Sequence, residues 1–296
     1  MGNRYNDCRL CARQCGVNRT DGNVGFCGMT DRLRIGRASL HRWEEPIISG
    51  ISGSGAIFFS GCSLGCVFCQ NADISHGREG KEITTERLAE IMFELQSKGA
   101  HNINLVTPTH FVPSIKDAIV YARKNGLNLP IVYNTSSYDT VQTLKLLDGI
   151  VDIYLPDFKY FLSKSASALS SAGDYPTVAK EAISEMVRQK PSPIIEDGLM
   201  KSGVIVRILL LPSHVAEAKL ILKYLYDTYG ESIYVSLMSQ YTPMRSAPPP
   251  LSRRVTRAEY NDFVSYAEKL GIKNGFTQEF ESADESFIPN FDGTGV

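Results

Sequence analysis

The sequence lacks several things whose absence narrows its function. It has no excess of either charge: 31 Lys and Arg stand against 32 Asp and Glu, a formal net charge of −1. That argues against a basic nucleic-acid sleeve and an acidic disordered tail, and no nucleic-acid partner is expected. No apolar stretch reaches membrane-span or signal-peptide length, and the chain starts MGNRYNDCRL. A cytoplasmic location without a membrane contact is therefore expected. The five histidines form no H-x3-H or HExxH pair, and neither a Ser–His–Asp pattern nor a phosphate loop is present. There is no cysteine after residue 69. All seven, at positions 8, 11, 15, 27, 62, 66 and 69, lie in the first quarter of 296 residues. An odd count cannot pair off completely in disulfides, and clustered cysteines in a cytosolic chain point to metal or redox work.

What is present reads as an α/β protein. Hydrophobic residues make up 43% of the chain, enough for a real core. Residues 1–50 are rich in Cys, Gly and Arg with little periodicity, which suggests a small module that needs a metal to hold it. From residue 55 a strand–helix rhythm begins. Apolar strand-like runs fall at residues 55–60, 102–107, 130–135, 150–155, 204–211 and 233–238. Helical stripes lie between them, such as Leu88, Ile91, Met92 and Leu95 at i, i+3, i+4, i+7. A helix is expected over residues 138–148, and residues 163–173 are small and polar, a mobile loop or weak helix. Thr256 and Glu259 form a capping box ahead of a last helix that stops at Gly271. Six alternating units imply parallel strands with right-handed crossovers, either a partial (β/α)6 TIM-type barrel or a doubly wound sheet. In both, chemistry sits just past the strand C-termini. The expected domains are a Cys-rich metal-binding module at 1–50, a partial barrel at 51–271 and an irregular covering tail at 272–296.

Cys62, Cys66 and Cys69 directly follow the first strand in the string FFSGCSLGCVFCQN, spaced C-x3-C-x2-C. Three thiolates on one tight loop suit three corners of a 4Fe–4S cluster with one iron left open. Gly61 and Gly65 allow the loop to wrap closely, and Phe68 would shield it from water. The bland alternatives are three unrelated buried cysteines or three ligands of a zinc site. Cys8, Cys11, Cys15 and Cys27 form a separate four-ligand set. Zinc and iron–sulfur both remain open there; the clustering of three cysteines leans to iron–sulfur.

The cysteine loop and the six βα units resemble the radical S-adenosylmethionine (radical SAM) superfamily. Within it the chain resembles homologues of the pyruvate formate-lyase activating enzyme, through CGVNR, WEEP, GCVFCQN, INLVTPTH, PIVYN, VDIYLPDFKY and SLM-x-QY. The resemblance covers essentially the whole chain. It implies a 4Fe–4S cluster on Cys62, Cys66 and Cys69 and bound S-adenosylmethionine (SAM). SAM would be cleaved reductively to a 5′-deoxyadenosyl radical that abstracts hydrogen from a substrate. An electron donor such as flavodoxin or ferredoxin and a monomeric state are expected with it.

The resemblance carries to single residues unevenly. Where the superfamily often has a Gly-Gly-Glu run for the SAM amino group, this chain has Thr107, Pro108, Thr109 and His110. Thr107 and Thr109 are candidates for that role, and His110 is the one histidine at a strand end, a candidate to face substrate. Asn134 follows the third strand near SAM. Asp157 and Lys159 match an Asp-x-Lys motif whose lysine reaches the SAM carboxylate; a solvated surface pair is the alternative. Arg207, within the fifth strand, is a SAM or substrate ligand or a buried ion-pair member. Gln240 and Tyr241 are candidates to face substrate. Trp43, Glu44 and Glu45 read as a rim contact between module and barrel. Glycyl-radical activases carry their extra cysteines after the radical SAM loop, whereas here they come before it. Three functions therefore stand side by side: a glycyl-radical activase, another peptide- or small-molecule-modifying radical SAM enzyme, and a non-catalytic iron–sulfur electron carrier or metal scaffold.

Overall fold

A computed structural model describes residues 4–76, 79–243, 247–278 and 289–296. Its strands are β1 (Leu33–His41), β2 (Ser54–Phe59), β3 (Lys81–Ile83), β4 (Ile103–Val106), β5 (Ile131–Thr135), β6 (Ile153–Pro156), β7 (Ile194–Glu196), β8 (Leu199–Leu209), β9 (Tyr234–Met238) and β10 (Gly275–Thr277). The helices are α1 (Pro46–Ser49), α2 (Ala72–Ser75), α3 (Thr85–Ser97), α4 (Val112–Lys124), α5 (Val141–Leu144), α6 (Ser163–Ser170), α7 (Tyr175–Gln189), α8 (Val215–Tyr229) and α9 (Arg257–Leu270).

Strands β2, β4, β5, β6, β8 and β9 are adjacent and parallel in that order, and they are the six strands expected from the sequence. They do not close on each other. At one edge β1 runs antiparallel to β2 and β3 antiparallel to β1; at the other, β10 lies parallel to β9. The sheet is an open, partial barrel. β2, β4, β5 and β6 are buried along their whole length, as strands covered on both faces must be. The helices pack one apolar stripe each on the outside: Leu88, Ile91, Met92 and Leu95 of α3 and Ile115, Ala118, Ile119 and Ala122 of α4 are all buried.

Local expectations change at several points. β1 lies inside the segment read as having little periodicity; Leu33, Ile35, Gly36 and Ala38 are its buried positions, and a register shift near Gly36 blurs the alternation. Residues 138–148 hold only the single turn of α5 and a following 3-10 turn, because Thr140 caps the chain that late. Residues 163–170 form α6, the helical one of the two alternatives read for 163–173. The capping box at Thr256 and Glu259 forms as expected. Of the segment expected to be an irregular tail, residues 275–277 form β10, and residues 289–296 lie along β1, where Ala38 donates to the Thr294 carbonyl (2.9 Å) and Gly293 to that of Gly36 (3.0 Å). The stretch 279–288 falls outside the described residues. Among the described residues no helix is long and apolar enough to cross a membrane.

Candidate active site

The parallel strands all deliver their C-terminal residues to one cavity of about 240 Å³. Immediately after β2, Gly61 (φ +82°) and Gly65 (φ +68°) turn the chain into a tight loop through left-handed backbone that side chains rarely adopt. Cys62, Cys66 and Cys69 on that loop all line the cavity. Each sulfur has a donor beside it. The Leu64 N–H points to Cys62 Sγ (3.4 Å) and the Ser170 hydroxyl to Cys66 Sγ (3.1 Å). The Ser75 hydroxyl and Asn71 N–H favour the Cys69 thiolate. Burial pushes the Cys62 thiol up to about 12, and the neighbouring Cys69 and Cys66 add to it. Burial, then Cys66, raises Cys69 too. Crowded sulfurs that resist ionising together are relieved by a cation, and metal ligation removes their protons. Phe68 is buried edge-on to Tyr160 (6.4 Å) and Tyr241 (6.0 Å), an apolar floor under the loop. This donor set, three thiols with glycine turns and no fourth ligand on the loop, fits a cubane cluster with one open corner.

Across the cavity, β5, β6 and β8 present a buried polar network. Asp157 accepts from Lys159 Nζ (2.7 Å) and from Arg207 Nε (2.8 Å). Arg207 also donates to Asn134 Oδ1 (2.6 Å) and Glu44 Oε2 (3.1 Å). Asn104 Nδ2 donates to the other Glu44 oxygen (2.9 Å). Burial alone would raise the Asp157 carboxyl, but Arg207 and Lys159 hold it below the usual carboxylate range. Burial likewise opposes the Lys159 charge, and Asp157 and Cys66 outweigh it, so the ammonium persists. Burial pushes Glu45 up despite Arg207, and its Oε2 has no hydrogen-bond partner.

The sequence-derived candidates divide accordingly. Cys62, Cys66, Cys69, Thr107, Asn134, Asp157, Lys159, Arg207, Gln240 and Tyr241 line the cavity. Tyr241 presents its ring, since its hydroxyl donates to the Leu251 carbonyl (2.7 Å). Asp157 and Lys159 are an ion pair inside the site, not a solvated surface pair. Thr109 and His110 do not reach it. Thr107 adopts φ +58°, and the chain then enters a 3-10 turn directed away from the cavity. Thr109 is buried against Thr135 and Tyr133 beside the Asp139 carboxylate. His110 is buried with Nε2 donating to the Ser60 carbonyl (2.7 Å), which leaves Nδ1 unprotonated and without a partner. Burial, then the Arg19 charge, lowers His110 to about 3. Glu44 also lines the cavity. It reads as a rim position, but Pro46 starts α1 just beyond it, and the carboxylate lies at the bottom of the network.

Cys8, Cys11 and Cys27 are buried and Cys15 is exposed. Burial pushes Cys11 up to about 12, and Cys27, Cys15 and Cys8 add to it, so the four lie within electrostatic reach of one another. Among the described residues no three His, Cys, Asp or Glu side chains form a group set for a single metal ion.

Comparison with known proteins agrees with this geometry. The radical SAM superfamily profile matches residues 56–190, the segment carrying the cysteine loop and the Asp-x-Lys pair. The uncharacterized protein MJ0674 of Methanocaldococcus jannaschii is 31% identical over 281 residues, spanning 91% of this chain and 77% of that one. The fold is similar to that of HydG, a maturase of the FeFe-hydrogenase, with a TM-score of 0.52 at 15% identity over 77% of this chain. This chain spans only about half of that maturase (53%). SuiB of Streptococcus suis bound to S-adenosylmethionine matches at a TM-score of 0.48 and 12% identity, over 74% of this chain and 48% of SuiB. With the three-cysteine loop after the first parallel strand and the profile match lying across it, the chain belongs to the radical SAM superfamily.

Proposed function

We propose that the protein is a radical SAM enzyme that binds a 4Fe–4S cluster through Cys62, Cys66 and Cys69 and abstracts hydrogen from an organic substrate. The observation that carries this reading is the convergence on one cavity of three thiols, with no fourth ligand on their loop, and a buried cation pair opposite them. When bound, the cluster and SAM supply an electron transfer that splits SAM into methionine and a 5′-deoxyadenosyl radical, the hydrogen-abstracting species. The chain's own groups bind and orient. Lys159, kept charged by Asp157, offers an ammonium for a carboxylate such as that of SAM. Arg207 locks Asp157, Asn134 and Glu44 into one rigid wall, so the polar groups are set before a ligand arrives. Phe68 and the Tyr241 ring exclude water from the cluster side.

Cys8, Cys11, Cys15 and Cys27 would hold a second metal centre; their mutual proximity supports it, and the clustering of three of them in the sequence leans to iron–sulfur over zinc. A glycyl-radical-forming reaction on a partner protein, with a flavodoxin or ferredoxin as reductant, is the finer reading suggested by the sequence motifs that resemble pyruvate formate-lyase activating enzyme homologues.

Anaerobic reconstitution followed by dithionite and SAM tests the reading. We expect 5′-deoxyadenosine from the wild type and none from Cys66→Ala, which should also lack the iron of one cluster. Lys159→Met should keep that iron and bind SAM at least ten-fold more weakly. Equal iron in Cys66→Ala and wild type, without SAM cleavage in either, would sink the proposal.

A further inference from the structure

One arginine joins the two groups of cysteines. Arg13 lies between Cys11 and Cys15, on the N-terminal module. Its guanidinium reaches four backbone carbonyls on two other elements. Nε donates to Ser63 O (2.9 Å) and Nη2 to Leu64 O (3.0 Å), both inside the loop between Cys62 and Cys66. Nη2 also donates to Ser170 O (2.8 Å) and Nη1 to Ser171 O (2.6 Å), at the C-terminal end of α6. Its plane stacks on the Phe26 ring at 3.7 Å, with Tyr138 at 5.2 Å. Phe26 in turn lies against Gly65, where a Cβ would come within 3.0 Å of the ring.

The α6 end matters because of what it carries. The last carbonyls of a helix have no partner within the helix, and a cation there satisfies them and suits the helix dipole. Ser170, the final residue of α6, gives its hydroxyl proton to Cys66 Sγ (3.1 Å). The Tyr160 hydroxyl lies 2.7 Å from the same oxygen and can donate to it, leaving the serine proton for the sulfur. Val67 N–H, next to Cys66, donates to the Leu169 carbonyl (2.9 Å). Arg13 thus fixes both partners of the Ser170–Cys66 hydrogen bond, the helix end from one side and the cysteine loop from the other. Hydrogen bonds to ligand sulfurs stabilise the more electron-rich, reduced state of an iron–sulfur cluster and so raise its potential.

We infer that Arg13 is a positioning residue that sets the reduction potential of the cluster on Cys62, Cys66 and Cys69, acting through the Ser170 hydroxyl. The N-terminal module then tunes a cluster it does not ligate. This rests on the cluster assignment proposed above, and not on which metal occupies the module.

The test is a redox titration of the reconstituted full-length protein, followed by electron paramagnetic resonance of the reduced three-cysteine cluster. Ser170→Ala should shift the midpoint potential to a more negative value. Arg13→Ala should shift it the same way and change the line shape of the reduced cluster. The double variant should shift no further than Ser170→Ala alone. Arg13→Lys keeps the charge and stem but not the four-way fork, and carries the same expectation if Arg13→Ala loads poorly. A purely structural fastening would alter loading or melting but leave the potential of loaded protein in place. A loaded wild type whose potential is unmoved in Arg13→Ala and Arg13→Lys, or shifts that add in the double variant, would overturn the inference alone. A wild type without Cys66-dependent iron would overturn the cluster assignment and the inference with it.

Discussion

Arg207 shows how little slack a single residue in this site has. Its side chain is 12% exposed and pairs with both Glu44 (10%) and Asp157 (20%), the latter shared with Lys159. Removing one partner of a buried charge network leaves the others desolvated and unpaired, a cost of about 3–5 kcal/mol. Arg207→Met should lose that much stability in chemical denaturation. Adding Glu44→Gln should recover a large part of it, because the carboxylate left without its cation is then gone while Asp157 keeps its partner Lys159. His110 supports a second prediction. Its folded value of about 3 lies below the ordinary value of 6.5, so the unfolded chain takes up a proton that the folded chain refuses. The contribution is fully present above pH 6.5 and is lost as pH falls toward 3. Between pH 7 and pH 5 the loss attributable to this one site reaches about 2 kcal/mol. Denaturation of His110→Gln at the two pH values should show a correspondingly smaller pH dependence; an unchanged dependence would refute the assignment. Both readings depend on distant partners. The sequence marks His110 as the one histidine at a strand end, and the 3-10 turn that buries its ring against Ser60 takes it out of the site.

At the scale of elements, the strand–loop junctions carry the function and the helix termini carry stability. Gly61 joins β2 to the cysteine loop, and a Cβ there would lie 2.7 Å from the Cys27 carbonyl and 2.5 Å from Met29. Gly61→Ala combines a left-handed backbone with a backbone clash, so the module must move off the loop. It should cost more than about 1 kcal/mol and lower Cys66-dependent iron, measured by melting and metal analysis. By contrast, Thr256 caps α9 far from the cavity, in a reciprocal bond with Glu259. Thr256→Ala should lose about 1 kcal/mol of stability with 5′-deoxyadenosine formation unchanged. The α9 cap was legible because Thr, two spacers and Glu is a local code. β1 was not, since its register shift near Gly36 interrupts the alternation and its pairing with β2 is a long-range event.

On the scale of the whole molecule, parallel topology explains why the site exists at all. Six strands pointing one way bring six C-terminal ends to one side of the sheet, and the open edge leaves the cavity accessible. The N-terminal module closes over the back of the cysteine loop instead of standing apart. Arg19, fully buried, donates to Met29 O and to His110 O (2.6 Å), and Tyr5 contacts Ser114 (2.9 Å) on α4. Substituting Cys8 and Cys11 together should therefore lower the melting temperature of the entire protein, not release a separate unit. Metal analysis should give about eight irons per chain if both cysteine sets hold cubane clusters, falling to about four in that variant.

The sequence by itself determined the class of fold, the six parallel strands and the three-cysteine loop. These are written in short-range codes: apolar period, capping pairs, glycine turns and ligand spacing act over a few residues and survive being read alone. The tertiary structure alone decided that Glu44 joins the polar wall of the cavity and how the members of that wall pair. Glu44 and Arg207 meet across 163 positions, and Arg13 reaches carbonyls 50 and 158 positions away. It also decided that Thr109 and His110 turn inward. Such pairings depend on where folded elements cross, and on which charges burial forces together. Neither is expressed in the residues on either side.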